Sequence, residues 1–160
     1  NLSVILLGGP NEIERNKIIL KKLKLKLIKN PAQNTIRKLF SKIFSFGDIV
    51  KNPAFDVKLI NPGTNNSLRK FISIINALDI LVTSDTLTLH IAVALKKRVV
   101  CFFGPTSAEE IELYSQGVKV KPISPCYCCF QKQRTNARMC IDKIKTEDLI
   151  QSTLNQTRYL

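Results

Sequence analysis

The sequence has no tryptophan, one methionine and one histidine, and its acidic residues are scarce, with 12 Asp and Glu against 25 Lys and Arg. No apolar run approaches the ~20 residues that a membrane-spanning helix requires. Aromatic side chains are not interleaved with the basic ones, so the stacking surface typical of nucleic acid binding is missing and no nucleic acid partner is expected. Neither a P-loop nor a GxGxxG fingerprint is present, which excludes these two ways of holding a phosphate.

The remaining composition is that of a globular domain. The 160 residues are 44% hydrophobic and 23% charged, and their net charge of +13 favours anionic partners such as phosphorylated small molecules or acidic membrane surfaces. We expect a single domain over residues 1–160, cut from a longer chain because a strand begins almost at Asn1. An odd count of five cysteines without a secretion signal favours reduced thiols or metal over a disulfide framework.

Short apolar runs alternate with segments of helical periodicity. Residues 80–82 and 99–103 do not alternate polar with apolar side chains, so we expect strands covered on two faces, as in a parallel sheet. Residues 87–97 between them have helical spacing, and the cations at the end of this stretch, Lys96, Lys97 and Arg98, suit the helix dipole. A capping box at residues 107–110 predicts a further helix to about residue 114. The alternation predicts an α/β fold, a three-layer doubly wound parallel sheet.

One segment, at about residues 29–55, interrupts the alternation. The preceding pattern LKLKLIKNP, residues 23–31, indicates either a short exposed strand or a helix that frays before proline. Residues 35–46 then form a basic amphipathic helix pattern. Its apolar face either packs on the domain or lies on an anionic membrane surface.

Three turns are expected to line one edge of the sheet, where open parallel sheets bind their ligands. They are Gly8-Gly9-Pro10, Ser84-Asp85-Thr86 and Gly104-Pro105-Thr106. Glycine permits close approach of the backbone to a ligand, and helix N-termini supply N–H donors for an anion. The sequence therefore predicts an anion site at this edge.

Three charged or titratable side chains belong to this edge. Asp85 is expected to cap the helix that follows it, holding the next amides toward a diphosphate. His90, four residues after Thr86, is either a donor to the same anion or a hydrogen-bonded, half-buried histidine. Glu12 either accepts hydrogen bonds from a ribose diol or is simply an acid in the first turn of a helix.

The cysteines fall into two groups. Cys101 lies within an apolar strand and is expected in the core. The other four, Cys126, Cys128, Cys129 and Cys140, occupy an irregular segment. They include one C-x2-C pair without a second, so either a zinc site or reduced thiols packed in a loop is compatible with them, and no metal is expected.

The stretch SDTLTLHIAVALKKRVVCFFGPTSAEEIELYSQG, residues 84–117, resembles the donor-binding domain of family 9 glycosyltransferases, the heptosyltransferase-like enzymes of lipopolysaccharide core synthesis. Its hallmarks are an Asp-Thr turn, a histidine five residues after the aspartate, an alanine-rich helix and a strand ending in Phe-Gly-Pro-Thr. The opening SVILLGGPNEIERN, the NPGTNNSLRKFISIINALDILVTSDT stretch and the cysteine segment resemble the family too. The segment at 29–55 and Leu87, where many members have glycine, depart from it.

The resemblance implies a GT-B architecture, of which this chain is the Rossmann-like C-terminal, nucleotide-sugar-binding half. Glu12 then binds the ribose, and Thr64 to Asn66 border the base. Carried over by position, the donor-binding residues are Gly8, Gly9, Glu12, Thr64, Asn66, Ser84, Asp85, Thr86, His90, Gly104, Pro105 and Thr106.

The implied reaction is a metal-independent, inverting transfer of a sugar, a heptose, from a nucleotide sugar to a lipopolysaccharide-type acceptor, without a cofactor. The general base is expected on an absent N-terminal domain, so that this chain alone is expected to be inactive. The implied location is the cytoplasm, peripheral to the inner face of the bacterial cytoplasmic membrane. The alternative is a non-catalytic module, from a fragmentary glycosyltransferase, that binds a membrane surface or a nucleotide.

Overall fold

The computed structural model describes residues 2–27, 49–52, 57–123, 128–130 and 140–160. The backbone divides into two compact units, Asn1–Ser67 and Leu68–Leu160. Each unit contains parallel strands and helices, so the chain is an α/β protein. The prediction of one domain over residues 1–160 stays a prediction, and the predicted helix at 35–46 lies outside the described residues.

The first unit contains a three-stranded sheet in the order β1-β3-β2. Strand β1 (Leu2–Ile5) runs parallel to β3 (Val57–Ile60), and β2 (Ile49–Asn52) pairs antiparallel with β3. Strand β2 lies within residues 29–55, the segment assigned as an insertion, and its residues were not predicted to form a strand. The predicted all-parallel sheet is therefore wrong for this unit, because the inserted segment contributes an antiparallel strand.

A helix follows β1. A 3-10 turn, Pro10–Glu12, leads into α1 (Ile13–Leu27), so the helical interpretation of the LKLKL pattern is confirmed as far as residue 27. Leu20 of α1 is buried together with Leu59 of β3, which gives this unit its small apolar core.

The second unit contains a parallel sheet in the order β4-β5-β6. The strands are β4 (Ile80–Ser84), β5 (Arg98–Phe102) and β6 (Gly117–Val120), and the helices are α2 (Leu68–Asn76), α3 (Leu87–Ala94) and α4 (Thr146–Gln156). The fully buried core comprises Ile75, Leu89, Ala92, Val99, Val100, Cys101 and Phe103. Strand β5 is central, which accounts for its unbroken apolar run.

Strands β4 and β5 differ in how far their side chains are buried. Val99, Val100 and Cys101 of β5 have no solvent exposure, as an unbroken apolar run predicts. In β4, however, Leu81 is buried while Val82 is 44% exposed. Successive side chains of a strand point to opposite faces, so only one face of β4 is covered at this point and the two-face prediction is wrong for it.

Helix α3 ends earlier than predicted. The Lys96 amide donates to the Val93 carbonyl at 3.0 Å, and the Lys97 amide donates to Ala92 at 2.9 Å. Together with the left-handed φ of 56° at Lys96, these bonds form a Schellman motif that stops the helix at Ala94. The lysines therefore follow the helix instead of forming its last turn.

The helix predicted from the capping box at residues 107–110 is absent, and turns connect β5 to β6. In a capping box the serine hydroxyl accepts from a backbone amide, but the Ser107 hydroxyl donates to the Glu109 carboxylate at 3.3 Å. The Ala108 carbonyl accepts from Lys119 Nζ at 2.7 Å. A local bond between Ser107 and Glu109, and one bond from a side chain eleven residues away, thus take the place of the capping box.

Candidate functional site

The turns that follow β4 and β5 lie at the same edge of their sheet. Ser84 pairs in register with Phe102, and both strands run in the same direction. The Ser84-Asp85-Thr86 turn and the Gly104-Pro105-Thr106 turn therefore leave neighbouring carboxyl ends, the position at which parallel sheets bind ligands. The sequence prediction for these two turns agrees with this register.

The first turn leads directly into α3. Thr86 is the N-cap residue, with extended backbone angles of φ −148° and ψ 171°, and its carbonyl accepts from the Leu89 amide at 3.0 Å. The Thr86 hydroxyl lies 3.3 Å from the Thr83 hydroxyl and 3.4 Å from the Ser84 carbonyl. No side chain caps the helix. The first amides of α3 have no partner within the helix, which suits them to an anion.

Asp85 does not cap α3, contrary to the prediction, because Thr86 occupies the N-cap position. The Asp85 carboxylate instead lies 3.8 Å from His90 Nε2, so the two form an ion pair when the imidazole is protonated. The His90 side chain is 60% exposed and that of Asp85 is 23% exposed. A pair this open to water contributes little to stability, and the imidazole is accessible to a ligand.

Cys101, on β5, is close enough to the Asp85 carboxylate to be affected by its charge. Burial, and to a smaller extent the negative charge of Asp85, raise the pKa of the Cys101 thiol to about 12, although the positive charge of Lys119 partly offsets them. The prediction that Cys101 is a core residue is confirmed. A thiol that stays protonated at neutral pH is not a nucleophile, so Cys101 supplies packing rather than chemistry.

The second turn, Gly104-Pro105-Thr106, is held by the described part of the cysteine segment, residues 128–130 and 140–141. The Phe130 amide donates to the Pro105 carbonyl at 2.8 Å, and Cys128 Sγ donates to the Thr106 carbonyl at 3.7 Å. Gly104 is buried, and a Cβ atom there would lie 3.4 Å from Cβ of Ile141 and 3.7 Å from Sγ of Cys140. Sequence reasoning missed these contacts, because no local pattern links residues 22 positions apart.

The cysteines do not form a metal centre among the described residues, where no three His, Cys, Asp or Glu side chains cluster closely enough to hold an ion. In the described part of the chain, Cys128, Cys129 and Cys140 form no disulfide. Cys126 lies outside the described residues, and the choice between zinc and packed thiols stays open for the full set of four.

In the first unit, Gly8, Gly9 and Glu12 form the start of a helix. The Gly9 amide donates to Glu12 Oε2 at 2.7 Å, and the Glu12 amide donates to the Gly9 carbonyl at 3.0 Å. Gly9 is the N-cap residue. A Cβ on Gly8 would lie 2.8 Å from Nδ2 of the buried Asn16, so this turn accepts no larger residue without movement. Glu12 acts as a capping acid, and its ribose contact stays a prediction.

Thr64 and Asn66 follow β3 at the same edge as Gly8 and Gly9, because Ile5 and Ile60 are in parallel register. Gly63, with φ 81°, donates its amide to Asn61 Oδ1 at 3.1 Å. The Asn66 side chain donates to the Gly63 carbonyl at 2.8 Å, which stabilises the turn from within. Thr64 is half-buried. That these residues join those of the second unit in one site stays a prediction.

Within the described ranges, no helix combines the length and apolarity needed to cross a bilayer. No curated protein sequence and no solved structure matches the chain at a significant level. The family model described as glycosyltransferase family 9 (heptosyltransferase) matches residues 54–140, more than half of the chain. The matched region contains both turns of the second unit, His90 and the cysteine segment, and it excludes Gly8 to Glu12. The chain therefore belongs to glycosyltransferase family 9.

Proposed function

We propose that the chain is the donor-binding part of an inverting, metal-independent glycosyltransferase with GT-B architecture. In this proposal the whole enzyme transfers a sugar, most simply a heptose, from a nucleotide sugar to a lipopolysaccharide-type acceptor. One observation carries the proposal. Two turns at adjacent carboxyl ends of a parallel sheet, residues 84–86 and 104–106, both fall within the family match and lie beside the N-terminus of α3.

The chemistry of glycosyl transfer explains why such an edge is suitable. The bond from the anomeric carbon to the diphosphate breaks as the acceptor hydroxyl attacks, and negative charge develops on the departing diphosphate. Without a metal, that charge is met by donors placed in advance. The first amides of α3, the Thr86 hydroxyl and the exposed imidazole of His90 are such donors. The Asp85 carboxylate lies 3.8 Å from His90 Nε2 and holds this imidazole beside the turn.

The remaining donor contacts belong to the same proposal. Glu12 accepts hydrogen bonds from the ribose, and Thr64 and Asn66 border the base. The general base that removes the acceptor proton is a carboxylate on an N-terminal domain that precedes this chain in the whole protein. The chain alone therefore binds a nucleotide sugar and transfers nothing.

Titration of the full chain with ADP, UDP and GDP, followed by calorimetry and thermal unfolding, tests the proposal. At least one of these nucleotides is expected to bind and to raise the unfolding temperature, since a ligand that binds only the folded state stabilises it. Asp85→Ala and His90→Ala should weaken that binding about tenfold, the loss expected for one charge-assisted hydrogen bond.

Asp79→Ala is the matched control. Asp79 is an exposed aspartate that lies immediately before β4, at the opposite end of the strand from Asp85. Its removal changes the net charge by the same amount but should leave nucleotide affinity unchanged. Failure of all three nucleotides to bind, or equal loss in Asp79→Ala and Asp85→Ala, would contradict the proposal.

A second candidate function, docking on an anionic membrane surface, is favoured by the exposed face of α1. Arg15, Lys17, Lys21 and Lys22 are exposed on this helix, with the 54% exposed Ile18 among them. A basic helix face with an exposed apolar side chain is what an anionic bilayer surface attracts. A peripheral location at the cytoplasmic membrane face is compatible with the first proposal, since lipid-linked acceptors lie there.

Cosedimentation with vesicles that contain phosphatidylglycerol, compared with phosphatidylcholine vesicles, tests this docking. A basic residue near an anionic surface contributes about 1 kcal/mol, so Lys21→Glu/Lys22→Glu should weaken binding at least about thirtyfold. Lys96→Glu/Lys145→Glu changes the net charge equally at exposed positions of the second unit and should weaken it far less. Equal weakening by both pairs would show that net charge, and not α1, determines the binding.

A further inference from the structure

The cysteine segment contacts the Gly104-Pro105-Thr106 turn from two separate stretches. Residues 128–130 supply the Phe130 amide to the Pro105 carbonyl, at 2.8 Å, and the Cys128 thiol to the Thr106 carbonyl, at 3.7 Å. After an interval of nine residues, Cys140 and Ile141 pack on Gly104. Each of the three residues of the turn is thus contacted by this segment.

The backbone of the first stretch is held in a conformation that requires support. Cys128 and Phe130 have left-handed φ angles of 57° and 52°, which are costly for residues with a side chain. Such angles persist where the surrounding contacts determine them. Here the Phe130 amide bonds to the turn, while Phe130 as a residue is 61% exposed. The main chain, and not the ring, makes the identified contact.

The second stretch closes the other side of the turn. Cys140 is 6% exposed and begins the 3-10 turn Cys140–Lys143. Its Sγ and the Ile141 side chain are within ordinary packing distance of a Cβ built at Gly104, at 3.7 Å and 3.4 Å. This stretch therefore lies directly against the turn at Gly104.

We infer that the cysteine segment is a positioning element for the donor diphosphate, acting by fixing the Gly104-Pro105-Thr106 turn through the Phe130 amide and the Cys128 thiol. The inference rests on the proposed function, because the turn is a donor contact only if a nucleotide sugar binds at this edge. The Pro105 and Thr106 carbonyls accept these two hydrogen bonds. The bonds fix these peptide groups, and with them the direction in which the Thr106 hydroxyl and the following amide face the ligand.

Three substitutions at Phe130 separate the main chain from the ring. Phe130→Gly keeps the amide donor and suits the left-handed φ, and Phe130→Ala keeps the donor but removes the ring. Phe130→Pro removes the donor and cannot adopt this φ. With ADP, UDP or GDP as the probe, the proline variant is expected to bind about three- to tenfold more weakly, as the loss of one hydrogen bond predicts. The glycine and alanine variants should bind like the wild-type chain.

The Cys128 thiol provides a second, milder test if the proline variant does not fold. Cys128→Ala should weaken nucleotide binding about twofold to fivefold, as expected for a weak sulfur donor, and Cys128→Ser should restore part of the loss because a hydroxyl can also donate. Thermal unfolding without nucleotide shows whether the folded state is intact. A purely structural role would lower the unfolding temperature in both variants and leave the affinity of the remaining folded protein unchanged.

Amide exchange at Phe130 reports on the coupling directly. Saturation of the wild-type chain with the nucleotide should slow exchange of the Phe130 amide. This amide donates to the Pro105 carbonyl, and a bound nucleotide would hold the turn that carries this carbonyl. Unchanged exchange, or wild-type affinity in both Phe130→Pro and Cys128→Ala, would overturn the inference while leaving the proposed function intact. Absence of nucleotide binding by the wild-type chain would instead overturn the proposed function, and this inference with it.

Discussion

The replacement Gly117→Ala should strongly destabilise the second unit. Gly117 begins β6 and pairs with Val99 of β5, and a Cβ atom at Gly117 would lie 1.9 Å from the Val99 carbonyl oxygen and 2.8 Å from its carbonyl carbon. Real Cβ atoms essentially never approach closer than 3.0 Å, so the two strands must move apart by about 1 Å. Val99 has no solvent exposure and lies in the central strand, which leaves it little freedom to move.

The cost follows from two effects. Overpacking in a rigid core costs about 1–3 kcal/mol, and separation of the strands weakens the hydrogen bond from the Val99 amide to the Gln116 carbonyl, worth about 1 kcal/mol. We therefore expect a loss of about 3 kcal/mol in the free energy of unfolding. The loss is a substantial fraction of the ~5–15 kcal/mol by which folded domains are stable.

Urea unfolding followed by tyrosine fluorescence measures this loss in the second unit alone, because all three tyrosines lie in Leu68–Leu160. Gly104→Ala is the control, since its added Cβ would make an ordinary contact at 3.4 Å and should change the free energy of unfolding by less than about 1 kcal/mol. A loss below about 0.5 kcal/mol for Gly117→Ala would refute the reasoning. So would equal losses in the two variants.

Three further predictions follow from local geometry. Lys96→Gly should stabilise the second unit by about 0.5–1 kcal/mol in urea unfolding, because glycine adopts the φ of 56° without strain; no gain would contradict the Schellman end of α3. Cys101 ionises in the unfolded chain near its ordinary pKa of 9.0 but in the fold only at about 12, so its stabilising contribution is complete below pH 9 and lost as the pH rises through 12. Between pH 9 and pH 12 the free energy of unfolding should therefore fall less in Cys101→Ala than in the wild-type chain. Glu12→Ala should lower the helicity of the first unit, measured by circular dichroism, and reduce its free energy of unfolding by about 1 kcal/mol. Glu12→Gln should retain most of the capping box with Gly9. Equal losses in the two variants would argue against the cap.

Local apolar pattern was a good guide to the strands. Unbroken apolar runs predicted β4 and β5, and their neighbouring turns emerged at one edge because parallel register aligns carboxyl ends. The same signal placed Cys101 in the core. It could not show that Val82 faces open solvent, since which face of a strand is covered depends on helices distant in sequence.

Local polar signals were less reliable. The Ser107 capping-box sequence and an aspartate at the position of Asp85 are both typical of helix starts. No helix begins at Ser107, however, and Asp85 does not cap the helix that follows it. At Ser107, bonds from Lys119 to Ala108 and from Ser107 to Glu109 replaced the helical pattern. At Asp85, the imidazole of His90 lies within ion-pair distance of the carboxylate, and Thr86 takes the cap position. A short polar side chain can form a local hydrogen bond or one that tertiary packing makes available, so its local preference does not by itself decide its partner.

The sequence by itself determined the alternation of strands and helices, the turns that follow β4 and β5, and the membership of glycosyltransferase family 9. These features depend on residues that are close together in the chain, or on a sequence motif that is recognised without knowledge of the structure. Only the tertiary structure decided that β2 pairs antiparallel with β3, and that the cysteine segment lies on the Gly104-Pro105-Thr106 turn. The physical reason is that contacts such as Cys128 to Thr106 join residues 22 positions apart. Their formation depends on how the sheet and helices pack, which no local preference specifies.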